Sequence, residues 1–160
     1  MKVLKFIDEQ FEKWFLIVSL IVMVLVTFMQ IVLRWFNAAT VWAEEFSRYV
    51  MLYQVWVGAS YAVHEDAHIR ITALIGRLSG GRRRGMELVV LTLWLLFALW
   101  LTVEGCVLVG KIAAMGQVSS AMRIPMTIPY ASVPIGGALM TIRLVQKIVE
   151  RLRNTQEEEA

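Results

Sequence analysis

The sequence predicts an all-α integral membrane protein with four transmembrane helices. Of its 160 residues, 58% are hydrophobic and only 18% are charged, and the mean hydropathy is +0.62. A soluble domain of this size would leave too much of that apolar surface in water. The length suffices for about four spans of ~20 apolar residues each. The protein is therefore expected in a bilayer.

The predicted spans cover residues 14–36, 41–63, 87–109 and 129–149. We assign residues 1–153 to a single four-helix membrane domain and expect the acidic tail, 154–160, to be disordered. The first span is uncharged from Trp14 to Leu33, enough to cross a ~30 Å hydrocarbon core. Pro134 predicts a kink near the start of the fourth, because proline removes a helical hydrogen bond.

The distribution of basic residues predicts that both termini are cytoplasmic. With that orientation only Arg34, Lys111 and Arg123 lie outside, and Arg48 lies within the second span. The other twelve of the sixteen basic residues lie inside, as positively charged loops usually do: Lys2, Lys5, Lys13, Arg70, Arg77, Arg82, Arg83, Arg84, Arg143, Lys147, Arg151 and Arg153.

Two amphipathic stretches are expected to lie along the cytoplasmic membrane surface. In the loop before the third span, Ile71, Leu74, Ile75 and Leu78 follow helical spacing. The other is the N-terminal stretch before Trp14, which could also be a solvated leader. Basic residues beside the loop helix are predicted to anchor it to phospholipid headgroups rather than to nucleic acid: Arg77, Arg82, Arg83 and Arg84.

A charged cluster at the start of the second span is the most informative candidate site. On a helix Glu44 and Glu45 both lie within reach of Arg48, and Tyr49 follows directly. Charges near hydrocarbon mark assembly or functional sites by default. Three interpretations remain open: a helix start whose acids complement the helix dipole, an ionic network that faces a partner, and an ion or proton pathway.

Other polar residues are interpreted more simply. His64 and His68 have a spacing that could serve a metal or haem, but they lie at a helix end where polar residues are well solvated. Glu104, near the outer end of the third span, is interpreted as interfacial and able to pair with Lys111. Cys106, the single cysteine, excludes an intrachain disulfide and is interpreted as a small packing residue.

Small residues predict close helix contacts. Gly58 with Ala59, and Gly136 with Gly137, permit neighbouring backbones to approach closely. Few polar side chains are available at mid-depth to line a solute path. These features favour a packing subunit. The residues assigned to a subunit interface are Glu44, Glu45, Arg48, Tyr49, Gly58, Ala59, Gly136 and Gly137.

Several short motifs, in order, resemble the small membrane (Q) subunit of TRAP transporters, the tripartite ATP-independent periplasmic transporters. They are the residues from Trp42 to Tyr49, then Gly58-Ala59, then the residues from Ala67 to Ile71, with the proline-rich stretch 123–136 in the second half. The resemblance covers about residues 5–150. Thr72 and His64 depart from the family pattern, which often has an acid and a nearby arginine there.

The resemblance implies a transport component of the bacterial inner membrane, not an enzyme. A large multi-span subunit would hold the solute and sodium sites, and a periplasmic binding protein would deliver an organic acid such as sialic acid or a C4-dicarboxylate. The small subunit would scaffold the large one and help dock the binding protein, for which Arg34, Asn37 and Arg123 are the outer candidates. No cofactor is expected in this chain.

Two other classes remain as alternatives. A haem- or quinone-binding membrane anchor of a redox complex would need axial histidines at suitable depths, and an absorption spectrum would detect the haem. A small autonomous ion-coupled exporter would need an essential acid within the membrane, and flux through the reconstituted chain alone would reveal it.

Overall fold

The computed structural model describes residues 2–38, 40–64 and 81–159, with side chains for 10–38, 40–63 and 85–151. The described chain is helical. Its elements are α1 (Lys2–Trp35), α2 (Val41–His64), α3 (Gly81–Met115), the single-turn α4 (Thr127–Tyr130) and α5 (Ser132–Glu159). The predicted loop helix at 71–78, which includes Arg77, lies outside the described residues, and so does His68. The side chains of His64 and Arg82–Arg84 are also outside the described part.

Within the described residues, three helical segments are long and apolar enough to cross a membrane. They are Gln10–Trp35, Gly85–Met115 and Thr127–Arg151, which correspond to the first, third and fourth predicted spans. The second predicted span coincides with α2, whose 24 residues would extend about 36 Å. Its charged first turns and its tyrosines make α2 less apolar than the other three segments.

The position of α2 in the bundle explains its lower hydropathy. The helices pack in the order α1, α2, α5, α3, so α2 lies between α1 and α5, and α5 lies between α2 and α3. The two outer helices therefore face the surroundings over most of their surface and carry mainly apolar side chains. A buried cluster between α2, α3 and α5 forms the core: Val63, Leu91, Ala98, Met140 and Leu144.

Two helix ends that lie at the same end of the bundle use residues with positive φ. Asn37 (φ 56°) follows α1, and the amide groups of Asn37 and Ala38 donate to the carbonyls of Arg34 and Leu33 at 3.2 and 3.0 Å. This is the Schellman arrangement, in which asparagine tolerates the left-handed conformation. Gly116 (φ 61°) ends α3 in a similar way.

The start of the fourth span contains a break between two helices, where the sequence predicted a kink within one helix. The helix is interrupted at Ala131, between α4 and α5, so Pro134 lies in the first turn of α5. Proline is tolerated there because the first amide groups of a helix have no partner within it. The missing donor is accommodated by a helix boundary instead of a bend.

At the other end of α5 the backbone stays helical through residues 154–159, where disorder was expected from the acidic composition. Arginine, glutamine and glutamate are good helix formers, and extending an existing helix needs no new nucleus.

Candidate functional site

The charged cluster of α2 divides into two separate contacts. Arg48 pairs with Glu44 at 3.4 Å, and both side chains are about two-thirds exposed, at 67% and 68%. The ion pair is the one that the i, i+4 spacing predicts. Because both groups are open to their surroundings, breaking this pair leaves neither charge buried.

Glu45 points in a different direction and binds the connection between α3 and α4. Its Oε2 accepts hydrogen bonds from the backbone amides of Ala121 and Met122, at 3.0 and 2.8 Å. Its Oε1 accepts the hydroxyl of Tyr49 at 2.7 Å. The tyrosine hydroxyl also approaches the sulfur of Met126 at 3.5 Å. Both Glu45 and Tyr49 are therefore engaged within the chain, where a subunit interface was expected.

The segment held by Glu45 is a short hairpin, residues 117–126. The amide of Ser119 donates to the carbonyl of Ile124 at 2.8 Å, and the amide of Met126 donates to Gln117 at 2.9 Å. Arg123 closes the turn at φ 56°, a conformation that costs a residue with a Cβ roughly 1–2 kcal/mol. The two hydrogen bonds that Glu45 accepts from Ala121 and Met122 help to hold the turn in this shape.

The binding-protein docking candidates lie at one end of the bundle, opposite the N-terminus. Arg34 and Asn37 are exposed at the end of α1, and Arg123 is exposed in the 117–126 hairpin. Tyr53 of α2 donates to the carbonyl of Ile128 at 2.7 Å and ties α4 to the same end. The fold thus gathers these three residues on one surface.

We expect Glu45→Gln to loosen the hairpin more than Glu44→Gln does. A glutamine presents one acceptor oxygen in place of two, so at least one of the three hydrogen bonds weakens, and each bond to a charged group contributes about 1.5–3 kcal/mol. Hydrogen exchange at the amides of Ala121 and Met122, followed by mass spectrometry in detergent, measures the effect. Equal protection in both variants would contradict the bracing role of Glu45.

The predicted close-packing glycines make their contacts inside this chain. A Cβ at Gly136 would overlap Trp56 of α2, and a Cβ at Gly137 would lie 2.6 Å from the Thr102 hydroxyl of α3. These glycines let α5 insert between two neighbours. Gly58 has looser surroundings, with its nearest contact, to Leu16, at 3.8 Å. Ala59 packs beside the core cluster. The close approaches of α5 expected at a subunit interface are therefore intramolecular.

Sequence reasoning missed a buried polar network that joins three helices. The Glu12 Oε1 of α1 accepts the Ser60 hydroxyl of α2 at 2.9 Å and Nε of Arg143 of α5 at 3.2 Å. The Arg143 and Glu12 side chains are only 6% and 3% exposed. Arg143 also donates to Gln146 at 3.1 Å. The available signal was Glu12 itself, an acid two residues before the first predicted span, in the N-terminal stretch expected along the membrane surface.

A shallow apolar groove lies between α1 and α2. It has a volume of about 700 Å³ and is lined by Trp14, Phe15 and Val18 of α1, by Phe46 and Tyr53 of α2, and by neighbouring residues of the 117–126 hairpin and α4. Below it, Gln54 donates to the Ser19 hydroxyl at 3.1 Å and joins the two helices.

Two further residues differ from their interpretation. Cys106 is exposed, so it is not a packing residue within this chain. Glu104 is also exposed, about 16 Å along α3 from its end at Met115, and it does not form the pair with Lys111 that was considered for it.

The arrangement defines a small helical membrane protein whose buried polar groups hold its own helices together. Residues 23–154 match the family of tripartite ATP-independent periplasmic transporters, DctQ component. The chain belongs to this family, which confirms the resemblance and makes it a transport component rather than an enzyme, located in the bacterial inner membrane as a multi-pass protein.

Three relatives illustrate the family. The isethionate TRAP transporter permease protein DctMQ of Oleidesulfovibrio alaskensis is 25% identical over 158 residues, covering 94% of this chain and 25% of that protein. The C4-dicarboxylate TRAP transporter small permease protein DctQ of Rhodobacter capsulatus is 30% identical over 106 residues, 66% of this chain and 47% of the relative. The sialic acid small permease protein SiaQ of Vibrio cholerae is 24% identical over 164 residues, 96% of this chain and 88% of the relative.

The chain spans a quarter of the DctMQ protein and about half of the Rhodobacter DctQ. Its similarity to the former covers most of this chain but only one part of a much longer polypeptide.

Proposed function

We propose that this small permease subunit scaffolds a large membrane subunit and helps to dock a periplasmic binding protein during sodium-coupled uptake of an organic acid. The observation that carries the proposal is the family match over residues 23–154. The DctMQ relative supports a large partner, because there a similar segment is part of one long permease polypeptide.

We further infer a four-span topology with both termini in the cytoplasm. In the bundle α2 runs antiparallel to α1, since Gln54 contacts Ser19 and Ser60 contacts Glu12. Its 24 residues nearly equal the 26-residue apolar segment Gln10–Trp35 of α1, and its polar character follows from its position between α1 and α5. We infer that α2 is the fourth span. The excess of basic residues at the end that carries the termini favours the cytoplasm for that end.

The solute is inferred to be an organic anion, because the names of the relatives specify isethionate, C4-dicarboxylates and sialic acid. We place the solute and sodium sites on the large subunit. The buried polar groups described in this chain support that assignment, since Glu12, Ser60 and Arg143 bind one another and Glu45 binds backbone amides.

Co-expression with a large TRAP permease subunit from the same organism tests the scaffold role. A tagged chain should retain the large subunit through purification in mild detergent, and the two together, with the binding protein, should take up solute in liposomes under a sodium gradient. Solute flux through this chain alone would contradict the proposal.

We expect charge reversal at Arg123 to weaken docking of the binding protein and to reduce its salt dependence. Rim charges of this kind steer association, so the loss should appear mainly in the association rate. Arg34→Glu should act similarly, and Lys13→Glu at the opposite end serves as the matched control. Surface plasmon resonance on nanodisc-embedded complex, at several salt concentrations, measures both. Unchanged association in both outer variants would make these residues simple membrane anchors.

A further inference from the structure

We propose that the outward face of α3, centred on Glu104, binds a transmembrane helix of the large subunit that presents a basic side chain at the same depth. This inference rests on the proposed function, since it assumes that a large membrane subunit exists. It adds which face of this chain contacts the large subunit, and it specifies that the partner must present a basic side chain there.

Glu104 lies within the apolar segment Gly85–Met115, which is long enough to cross a membrane. The nearest charged residues along α3 are Glu87, which pairs with Arg151 at 3.5 Å, and Lys111. Glu104 is about 25 Å from the first and about 10 Å from the second along the helix axis. Thr102 packs against Gly137 and Gly105 against Pro134, so Glu104 lies level with the first turns of α5.

The Glu104 carboxylate has no counterpart in the described part of the chain. It makes no hydrogen bond or ion pair with any described residue, and Lys111 is two helical turns away. A carboxylate at this depth is costly in lipid, so ionisable residues within spans almost always face protein or water and pair with another group. No residue in the described part of the chain supplies that group, so we assign it to a partner.

The residues around Glu104 form a continuous stripe along α3. It faces away from the packed side, where Leu91, Ala98 and Gly105 lie. Trp100, one turn from Glu104, is 59% exposed and stands near mid-depth, whereas tryptophans that face lipid prefer the membrane interfaces. Its ring lies 6.1 Å from that of Phe97. The exposed stripe comprises Leu93, Phe97, Trp100, Glu104, Val107 and Leu108.

A partner helix fits this stripe better than a second copy or a lipid does. A twofold dimer through the stripe would place two Glu104 carboxylates beside each other, because such an interface uses the same patch twice. Lipid amines lie in the headgroup layer, which is the level of Lys111. A partner helix with an arginine or lysine places the opposite charge at the level of Glu104. The same helix would also bury the exposed ring of Trp100 in an apolar contact.

Site-specific photocrosslinking tests which face is used. A benzoylphenylalanine is placed at Leu108, on the stripe, or at Val18, in the α1–α2 groove, and the chain is co-expressed with its large permease. Crosslinks to the large subunit from position 108 are expected. If the intact complex crosslinks only from position 18, or position 108 crosslinks to a second copy, the inference fails while the proposed function stands. If no complex forms with the unmodified chain, both fail.

Charge reversal tests the chemistry. Glu104→Lys should lower recovery of the complex by about tenfold or more. Losing a single hydrogen bond to a charged group is enough to weaken an association constant about tenfold. Glu104→Gln should lose less, because its amide oxygen still accepts. Leu20→Lys is the control: Leu20 is 51% exposed on α1, next to Ser19, whose contact with Gln54 places it at mid-depth. Equal losses in the two lysine variants would overturn the proposal.

Discussion

Replacing Arg143 by methionine should lower the free energy of unfolding by about 3–5 kcal/mol, because it leaves the Glu12 carboxylate buried without its counter-charge. In the folded chain the Arg143 Nε lies 3.2 Å from Oε1 of Glu12, and both side chains are almost fully buried. Ser60 still donates at 2.9 Å, but one hydroxyl does not balance a buried negative charge. Unfolding in detergent micelles, monitored by circular dichroism, measures the change.

The matching double substitution separates charge from packing. Glu12→Leu combined with Arg143→Met removes both charges, and such replacements are often close to neutral. Arg151→Met serves as the control for losing an arginine, because that side chain is 51% exposed and its pair with Glu87 is correspondingly screened. If the double variant is no more stable than Arg143→Met alone, the buried carboxylate is not the source of the loss.

The second large effect is expected at Gly136. An alanine Cβ there would overlap the Cβ of Trp56 and lie 3.1 Å from its Cα, so α2 and α5 would have to separate. Overpacking of this kind costs about 1–3 kcal/mol, and a bulkier residue costs more. Because the clash involves backbone atoms and not the end of a flexible side chain, small rotations relieve little of it.

Gly110→Ala provides the matched control. A Cβ at Gly110 would have no heavy atom within 4 Å, so alanine should be neutral or stabilise α3 by up to about 1 kcal/mol. Thermal unfolding followed by size-exclusion chromatography compares the two variants. A Gly136→Ala protein as stable as Gly110→Ala would show that α2 and α5 are not packed as closely as the structure describes.

Hydrophobicity along the sequence was enough to place the three most apolar spans. The third predicted segment falls within α3, the first ends one residue past α1, and the fourth begins in α4 and continues through α5. The agreement is close because a bilayer requires long uncharged helices whatever their partners are. The break in the helix at Ala131 was harder to predict from the sequence. Pro134 indicated a disturbance of the helix, but whether it bends a helix or lies in a first turn depends on where that helix starts.

The charged cluster shows where local spacing stops being informative. Helical spacing placed both Glu44 and Glu45 within reach of Arg48, and the structure pairs Arg48 with Glu44. The role of Glu45 depended on residues 76 and 77 positions later, Ala121 and Met122, whose amides come within reach only after the chain folds. No spacing rule within α2 could supply that contact.

The sequence by itself determined the membrane class and the family, because both depend on composition and on short motifs along the chain. Tertiary structure alone decided which polar groups are paired. Glu12 and Arg143 are separated by 131 positions and meet only because α2 and α5 bring them together, whereas Glu104, on the outward face of α3, meets no described partner. Burial and pairing depend on which helix faces are in contact. The sequence of a single helix does not determine the order in which the helices pack.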